Sequence, residues 1–187
     1  MSEPILIAEG TFGAVFKPAI PCDEVRELTN KVSKVMETKN AIAELHEYDK
    51  LNGLEEYNIA KPQICKISQP DFDKYVFENN SNIIEVHGKD ASAYSMLQYD
   101  YGGRDLTNFA LYMKTFFETD PENIKRFWTE TIKLWEGIRE YVRRRLSHRD
   151  IKPQNIVYNS DTNDLKFIDF GNMKYIGELL AEEQEDF

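Results

Sequence analysis

Three side chains between positions 150 and 169 carry oxygen donors at spacings that suit phosphoryl transfer. Asp150 is a carboxylate placed to accept a proton, and Asn155 offers a neutral amide oxygen to a metal ion. Asp169 ends the apolar run 165–168 and offers a carboxylate to the same metal. Lys152 lies between them as a point charge for a phosphate. Hard divalent cations take such oxygen ligands and keep substrate phosphates in their shell. A polar turn between a helix and a hairpin would explain an isolated His148-Arg149-Asp150 equally well. The weight therefore rests on the ordered set rather than on any one member.

Read in order, His148-Arg149-Asp150, Lys152 and Asn155, then Asp169-Phe170-Gly171, spell H-R-D-x-K-x-x-N followed by D-F-G. This order resembles the catalytic loop and metal-binding motif of the eukaryotic-type protein kinases. The resemblance implies ATP and Mg2+ as cofactors. It implies that Asp150 orients and deprotonates the acceptor hydroxyl, and that Lys152 steadies the γ-phosphate and marks a Ser/Thr preference. Asn155 and Asp169 are then the magnesium ligands.

These groups need a scaffold, and the chain ahead of them supplies candidate elements. Two short apolar runs, 5–8 and 14–16, flank Glu9-Gly10-Thr11-Phe12-Gly13, which predicts a hairpin with small residues at its tip. Glycines there let backbone N–H groups approach phosphate oxygens. An ordinary hairpin turn reads as well on the residues alone. By resemblance to the kinase glycine-rich loop, Gly10, Gly13 and Val15 contact the nucleotide. Ala8 stands where that loop has its first glycine, and Val15 packs on the adenine. Residues 30–36 alternate as a strand with Lys34 inside it. A lysine among apolar neighbours needs a partner. Lys34 matches the lysine that holds the α- and β-phosphates, with Lys31 and Lys39 as rivals. The pattern predicts a helix over 40–52, capped by Thr38 and stopped by Gly53. Ala41, Glu44, Tyr48 and Leu51 fall on one face of it. Glu44 is the expected partner of Lys34, and Glu47 is the alternative.

Residues 54–70 show no clear element, and the polar stretch 71–82 reads as a loop. Two strands are expected at 83–87 and 93–99. The run from Leu97 to Leu106 is similar to the hinge of haspin-like kinases. That likeness makes Tyr99 the gatekeeper, sets Asp100, Tyr101 and Gly102 at the adenine edge, and brings Asp105 to the ribose. Helices are expected over 106–118 and, opened by Pro121, over 122–146. In the second, Phe127, Ile132, Trp135, Ile138 and Val142 are expected to face the core. Arg143-Arg144-Arg145 suits a helix C-terminus. His46 and His87 have no companions at metal-ligand spacing.

Composition limits the partners. An apolar fraction of 41% and an aromatic fraction of 12% support a folded core rather than disorder. A net charge of −10 lacks the basic footprint of a nucleic-acid binder, and leaves room for a basic protein substrate. Cys22 and Cys65 are too few for a disulfide framework and are expected to be reduced. No apolar run approaches a membrane span, and Met-Ser-Glu-Pro is not a signal peptide. The expected location is the cytoplasm. The Lys34–Glu44 spacing is similar to that in kinases of large DNA viruses, for which the host cytoplasm or the virion is the equivalent.

The resemblance runs from the glycine loop to Gly171, and only residues 172–187 follow, without an A-P-E motif. The expectation is a kinase truncated shortly after D-F-G, or a minimal one, exposing apolar surface in its helical lobe or self-associating through it. The expected fold is α+β and kinase-like. Residues 1–99 form an antiparallel sheet lobe with one helix, and residues 100–187 form the hinge and a partial helical lobe. The expected activity is ATP-dependent phosphorylation of Ser or Thr in a protein. The alternatives are a nucleotide-binding pseudokinase acting as an interaction module, and a small-molecule kinase built on the same carboxylate logic.

Overall fold

A computed structural model describes residues 3–10, 13–22, 28, 30–78, 88 and 90–185. The expected strand at 83–87, the glycine-loop tip at 11–12 and His87 lie outside the described residues. The chain divides into two compact units, Met1–Tyr48 with Ala60–Tyr101, and Asp49–Ile59 with Gly102–Phe187. The second unit thus takes Asp49–Ile59 from ahead of the boundary expected at residue 99.

The first unit is built on a five-stranded antiparallel sheet. Its strands are β1 (Ile5–Gly10), β2 (Gly13–Lys17), β3 (Lys31–Glu37), β4 (Gln63–Lys66) and β5 (Tyr94–Asp100). They lie in the order β1-β2-β3-β5-β4. Period two sorts β3: Lys34 faces helix α1 (Thr38–Glu47), while Ser33 and Val35 are buried on the other side. On that other side Ile20 is tied to the sheet through both backbone groups. Its N–H donates to Ser33 Oγ (2.9 Å), and its carbonyl accepts from Gln98 Nε2 (2.8 Å). Phe16, Ile20, Val35, Phe72, Val76 and Met96 fill the core there.

Three expectations need correction in this unit. Cys22 and Cys65 are not reduced thiols but a disulfide across 43 positions, fastening the Ile20 segment to β4. Thr38 does not cap α1: it is the first helical residue, Glu37 holds the cap position without a side-chain bond, and Thr38 Oγ1 instead meets Ser95 Oγ at 3.0 Å. The regular helix ends at Glu47 and tightens into a 3-10 turn, Tyr48–Leu51. The loop expected over 71–82 is helical as far as Phe77, and its residues 79–82 lie outside the described residues. The short α2 (Gln69–Asp71) runs on as a π-helical segment, Phe72–Phe77. Ser68 caps it, accepting from Asp71 N and donating to Asp71 Oδ2, with Pro70 in the first turn.

The second unit carries α3 (Leu106–Thr119), α4 (Glu122–Arg143) and α5 (Ile176–Glu185). Two small sheets accompany them. One pairs β6 (Arg104–Asp105), β8 (Ile156–Asn159) and β9 (Asp164–Phe167) in the order β6-β8-β9. The other pairs β7 (Leu146–Ser147) with β10 (Lys174–Tyr175). Phe109, Phe116, Phe127 and Tyr158 pack ring to ring, with Phe109 and Tyr158 at 4.7 Å and Phe109 and Phe127 at 5.5 Å. Asp49–Ile59 joins β9 through Ile59 N–H to the Phe167 carbonyl and Phe167 N–H to the Tyr57 carbonyl. Gly103 has φ +102°, and a Cβ there would lie 2.0 Å from the Tyr158 carbonyl oxygen, so only glycine lets the chain pass β8 so closely.

The expected burial of α4 is only partly right. Phe127 is buried, but Ile132, Trp135 and Val142 are 65%, 63% and 63% exposed, and Trp128 is 57% exposed. The buried face is made by Asn123, Phe127, Leu134, Gly137 and Tyr141. The helix is apolar along two stripes, and the helical period alone gives no sign of which one is covered. Among the described residues no helix is long and apolar enough to cross a membrane.

Candidate active site

In the first unit the β3–β5 register aligns Val32 with Tyr99 and Lys34 with Leu97, so Lys34 and Tyr99 emerge on one face of the sheet. Helix α1 covers that face and presents Glu44, which is 5% exposed, from its inward stripe. Lys34 Nζ donates to Glu44 Oε2 at 2.6 Å, and the Tyr99 hydroxyl donates to Glu44 Oε1 at 2.6 Å. Burial, with Tyr48 and Glu44 beside it, pushes the Tyr99 phenol well above its ordinary range, so it stays protonated. The two rival lysines lie elsewhere: Lys31 pairs with Asp100 at 2.7 Å on the surface, and Lys39 pairs with Glu37 at 2.9 Å.

The hairpin of β1 and β2 pairs Gly10 with Gly13 and Ala8 with Val15, with a bulge between Leu6 and Ala8. Its two glycines differ. Among the described residues a Cβ on Gly10 would meet nothing within 4 Å, whereas one on Gly13 would lie 2.9 Å from the Val35 carbonyl and 3.3 Å from Lys34 Cγ. Gly13 is thus required by the close approach of β2 to β3 beside Lys34. At the end of β5, Tyr101 donates its N–H to the Asn30 carbonyl (2.8 Å), and Lys17 Nζ caps its ring at 3.0 Å from the centroid. That N–H is therefore used within the protein.

In the second unit the catalytic-loop residues form one hydrogen-bonded cluster. Asp150 Oδ2 accepts from Lys152 Nζ (2.7 Å) and from Asn155 Nδ2 (2.8 Å). Asn155 Nδ2 also reaches the Asp150 carbonyl (2.9 Å), closing the turn that Pro153–Asn155 makes. The Lys152 ammonium holds the Asp150 carboxyl below the usual carboxylate range; burial works against this, and the Asn155 amide works with it. A carboxylate so held orients a hydroxyl well and accepts its proton late, which suits a reaction governed by positioning.

The loop is tied to the strand that leads to Asp169. Ile168 donates its N–H to the Asn155 carbonyl (3.0 Å), and His148 Nε2 lies 3.2 Å from the Ile168 carbonyl. His148 is buried among Tyr141, Phe167 and Phe170. Asp169 follows with φ +63° and Arg149 has φ +65°, uncommon backbone for residues with a Cβ and the kind of strain that functional loops retain. Because the Asn155 amide nitrogen is committed to Asp150, its Oδ1 is the atom it can offer a metal. Among the described residues no group of three His, Cys, Asp or Glu side chains forms a metal cage. One carboxylate and one amide oxygen fit a magnesium ion that completes its shell with phosphate and water.

Asp105 stands apart from the expected set. Its Oδ1 caps α3 by accepting from Thr107 N (3.0 Å) and Asn108 N (3.1 Å), and its Oδ2 takes Asn108 Nδ2. Two contributors went unforeseen from the sequence. The Tyr99 hydroxyl on Glu44 follows only from the strand register. Asn58 accepts from the Tyr141 hydroxyl and donates to the Leu54 carbonyl (3.0 Å), bracing the His148 pocket from far away in the chain.

Compared with models of known families, the chain matches the protein kinase domain over residues 6–183.

Proposed function

The chain belongs to the protein kinase family, and we propose that it transfers the γ-phosphoryl group of ATP to Ser or Thr hydroxyls of a protein substrate. The observation that carries this reading is the Asp150–Lys152–Asn155 cluster, in which one carboxylate is fixed by an ammonium and an amide. In this reading Asp150 orients the acceptor hydroxyl and receives its proton, and Lys152 neutralises charge on the γ-phosphate. Asn155 and Asp169 are the residues that would hold Mg2+, which supplies charge neutralisation at the phosphates when bound. Lys34, held by Glu44, would bind the α- and β-phosphates. Gly10, Gly13 and Val15, with Ala8 in place of a first glycine, would lie along the nucleotide, and Asp100 to Gly102 along the adenine edge. Lys152 supports Ser/Thr over Tyr.

The test is incorporation of labelled phosphate from Mg–ATP into a basic protein and a panel of small alcohols and aminoglycosides, by the wild type and by Asp150→Asn. The expected result is transfer to protein Ser or Thr, lost in Asp150→Asn with ATP affinity kept. Transfer to a small alcohol alone would make this a small-molecule kinase. ATP binding without any transfer would make it a nucleotide-binding interaction module.

A further inference from the structure

We propose that Tyr99 is a positioning residue that holds Glu44, and through it Lys34, in the geometry that binds ATP phosphates. This rests on the kinase reading of Lys34 given above.

The Glu44 carboxylate is a two-point anchor. Its Oε2 takes the Lys34 ammonium at 2.6 Å and its Oε1 takes the Tyr99 hydroxyl at 2.6 Å. These donors come from neighbouring antiparallel strands, β3 and β5, while the carboxylate comes from α1. A single carboxylate therefore ties the helix to two strands at once. Glu44 is 5% exposed and Tyr99 9%, so water does not replace either bond at low cost. The Tyr99 ring is itself steadied by Tyr48, whose ring centroid lies 6.2 Å away just past the end of α1. A lysine alone fixes one oxygen of a carboxylate and leaves the helix free to roll about that bond. The second bond removes this freedom. Lys34 has a flexible four-carbon stem, so the position of its ammonium depends on the position of Glu44. Tyr99 accordingly acts on the phosphates without touching them.

The experiment measures Mg–ATP affinity for the wild type, Tyr99→Phe, Glu44→Ala and the double variant, with Lys34→Met as a control and thermal melting of each. Tyr99→Phe keeps the ring and removes only the hydroxyl. We expect Tyr99→Phe alone to weaken ATP binding about ten-fold, the scale of one hydrogen bond to a charged group. In the Glu44→Ala background the same change should alter binding by less than about two-fold, because its target is gone. A packing role for the ring would be indifferent to the background. Equal losses in both backgrounds, or no loss from Tyr99→Phe while Lys34→Met and Glu44→Ala each lose affinity, would overturn this inference and leave the kinase reading in place. Unchanged ATP affinity in Lys34→Met would overturn the reading on which it rests.

Discussion

His148 sits in an aromatic box of Tyr141, Phe167 and Phe170, with one ring nitrogen near the Ile168 carbonyl. Burial lowers its proton affinity, and its own backbone, the Ile168 carbonyl and the nearby Asp169 and Asp150 charges offset this only in part. A free imidazole in the unfolded chain titrates near about 6.5. The folded value is below the unfolded one, so the unfolded chain binds the proton first. The contribution of His148 to stability is present above about pH 6.5 and is lost as the pH falls from there toward the folded value. We expect urea midpoints to drop between about pH 7.5 and about pH 5.5, and the drop to shrink in His148→Gln. An equal drop in both proteins would assign the acid sensitivity to carboxylates. Asp150, two residues on, is the opposite case: its cluster makes it ionised throughout this range, and Asp150→Asn is expected to change turnover rather than stability.

Among the elements, the disulfide draws the segment through Ile20 down onto β4 while Ser33 and Gln98 hold its backbone. Closing a loop of 43 positions removes chain entropy from the unfolded state, about 4 kcal/mol on the simplest model. Reduction, or Cys22→Ser, is expected to lower the melting temperature clearly, as followed by circular dichroism with and without a thiol reductant. No change on reduction would mean that the Ser33 and Gln98 bonds suffice. The bond was not legible in the sequence, because two cysteines far apart carry no sign of their spacing in the fold. Helix α1 was legible: Ala41 and Glu44 lie at helical spacing and are buried, while Tyr48 and Leu51, also buried, belong to the 3-10 turn that follows it. Helix α4 was legible as a helix but not as to which face is covered, since Phe127, Leu134 and Tyr141 form one apolar stripe and Trp128, Ile132, Trp135 and Val142 another. The Gln69–Phe77 helical segment was missed although Phe72, Tyr75 and Val76 lie at helical spacing within it and Ser68-Gln69-Pro70-Asp71 carried its cap. The Asp150–Lys152–Asn155 cluster was the most legible local arrangement, because its members lie close in sequence. The contacts that brace it, such as Asn58 with Tyr141, span 83 positions and were not.

At the scale of the whole molecule, the second stripe of α4 leaves four large apolar side chains exposed, Trp128, Ile132, Trp135 and Val142. Trp128 and Trp135 alone expose aromatic area on the order of 300 Å², enough to mark a sticky or partner-binding surface. Replacing both with Glu is expected to reduce binding of a fluorescent apolar dye and any concentration-dependent association seen by light scattering. The melting temperature should shift little, since exposed side chains contribute within about 0.5 kcal/mol. A large loss of stability would show that this stripe is covered in the native protein. Another feature of the whole bears on the order in which the protein can be made. Asp49–Ile59 belongs to the second unit, and its partner strand β9 ends at Phe167. On a ribosome, every strand of the five-stranded sheet has been synthesised once Asp100 has emerged, whereas Asp49–Ile59 must wait for a partner not yet translated. At roughly 5–20 residues per second that wait lasts on the order of several seconds. During it Leu51, Leu54 and Ile59, all buried in the folded chain, have not yet met the strand that this segment pairs with.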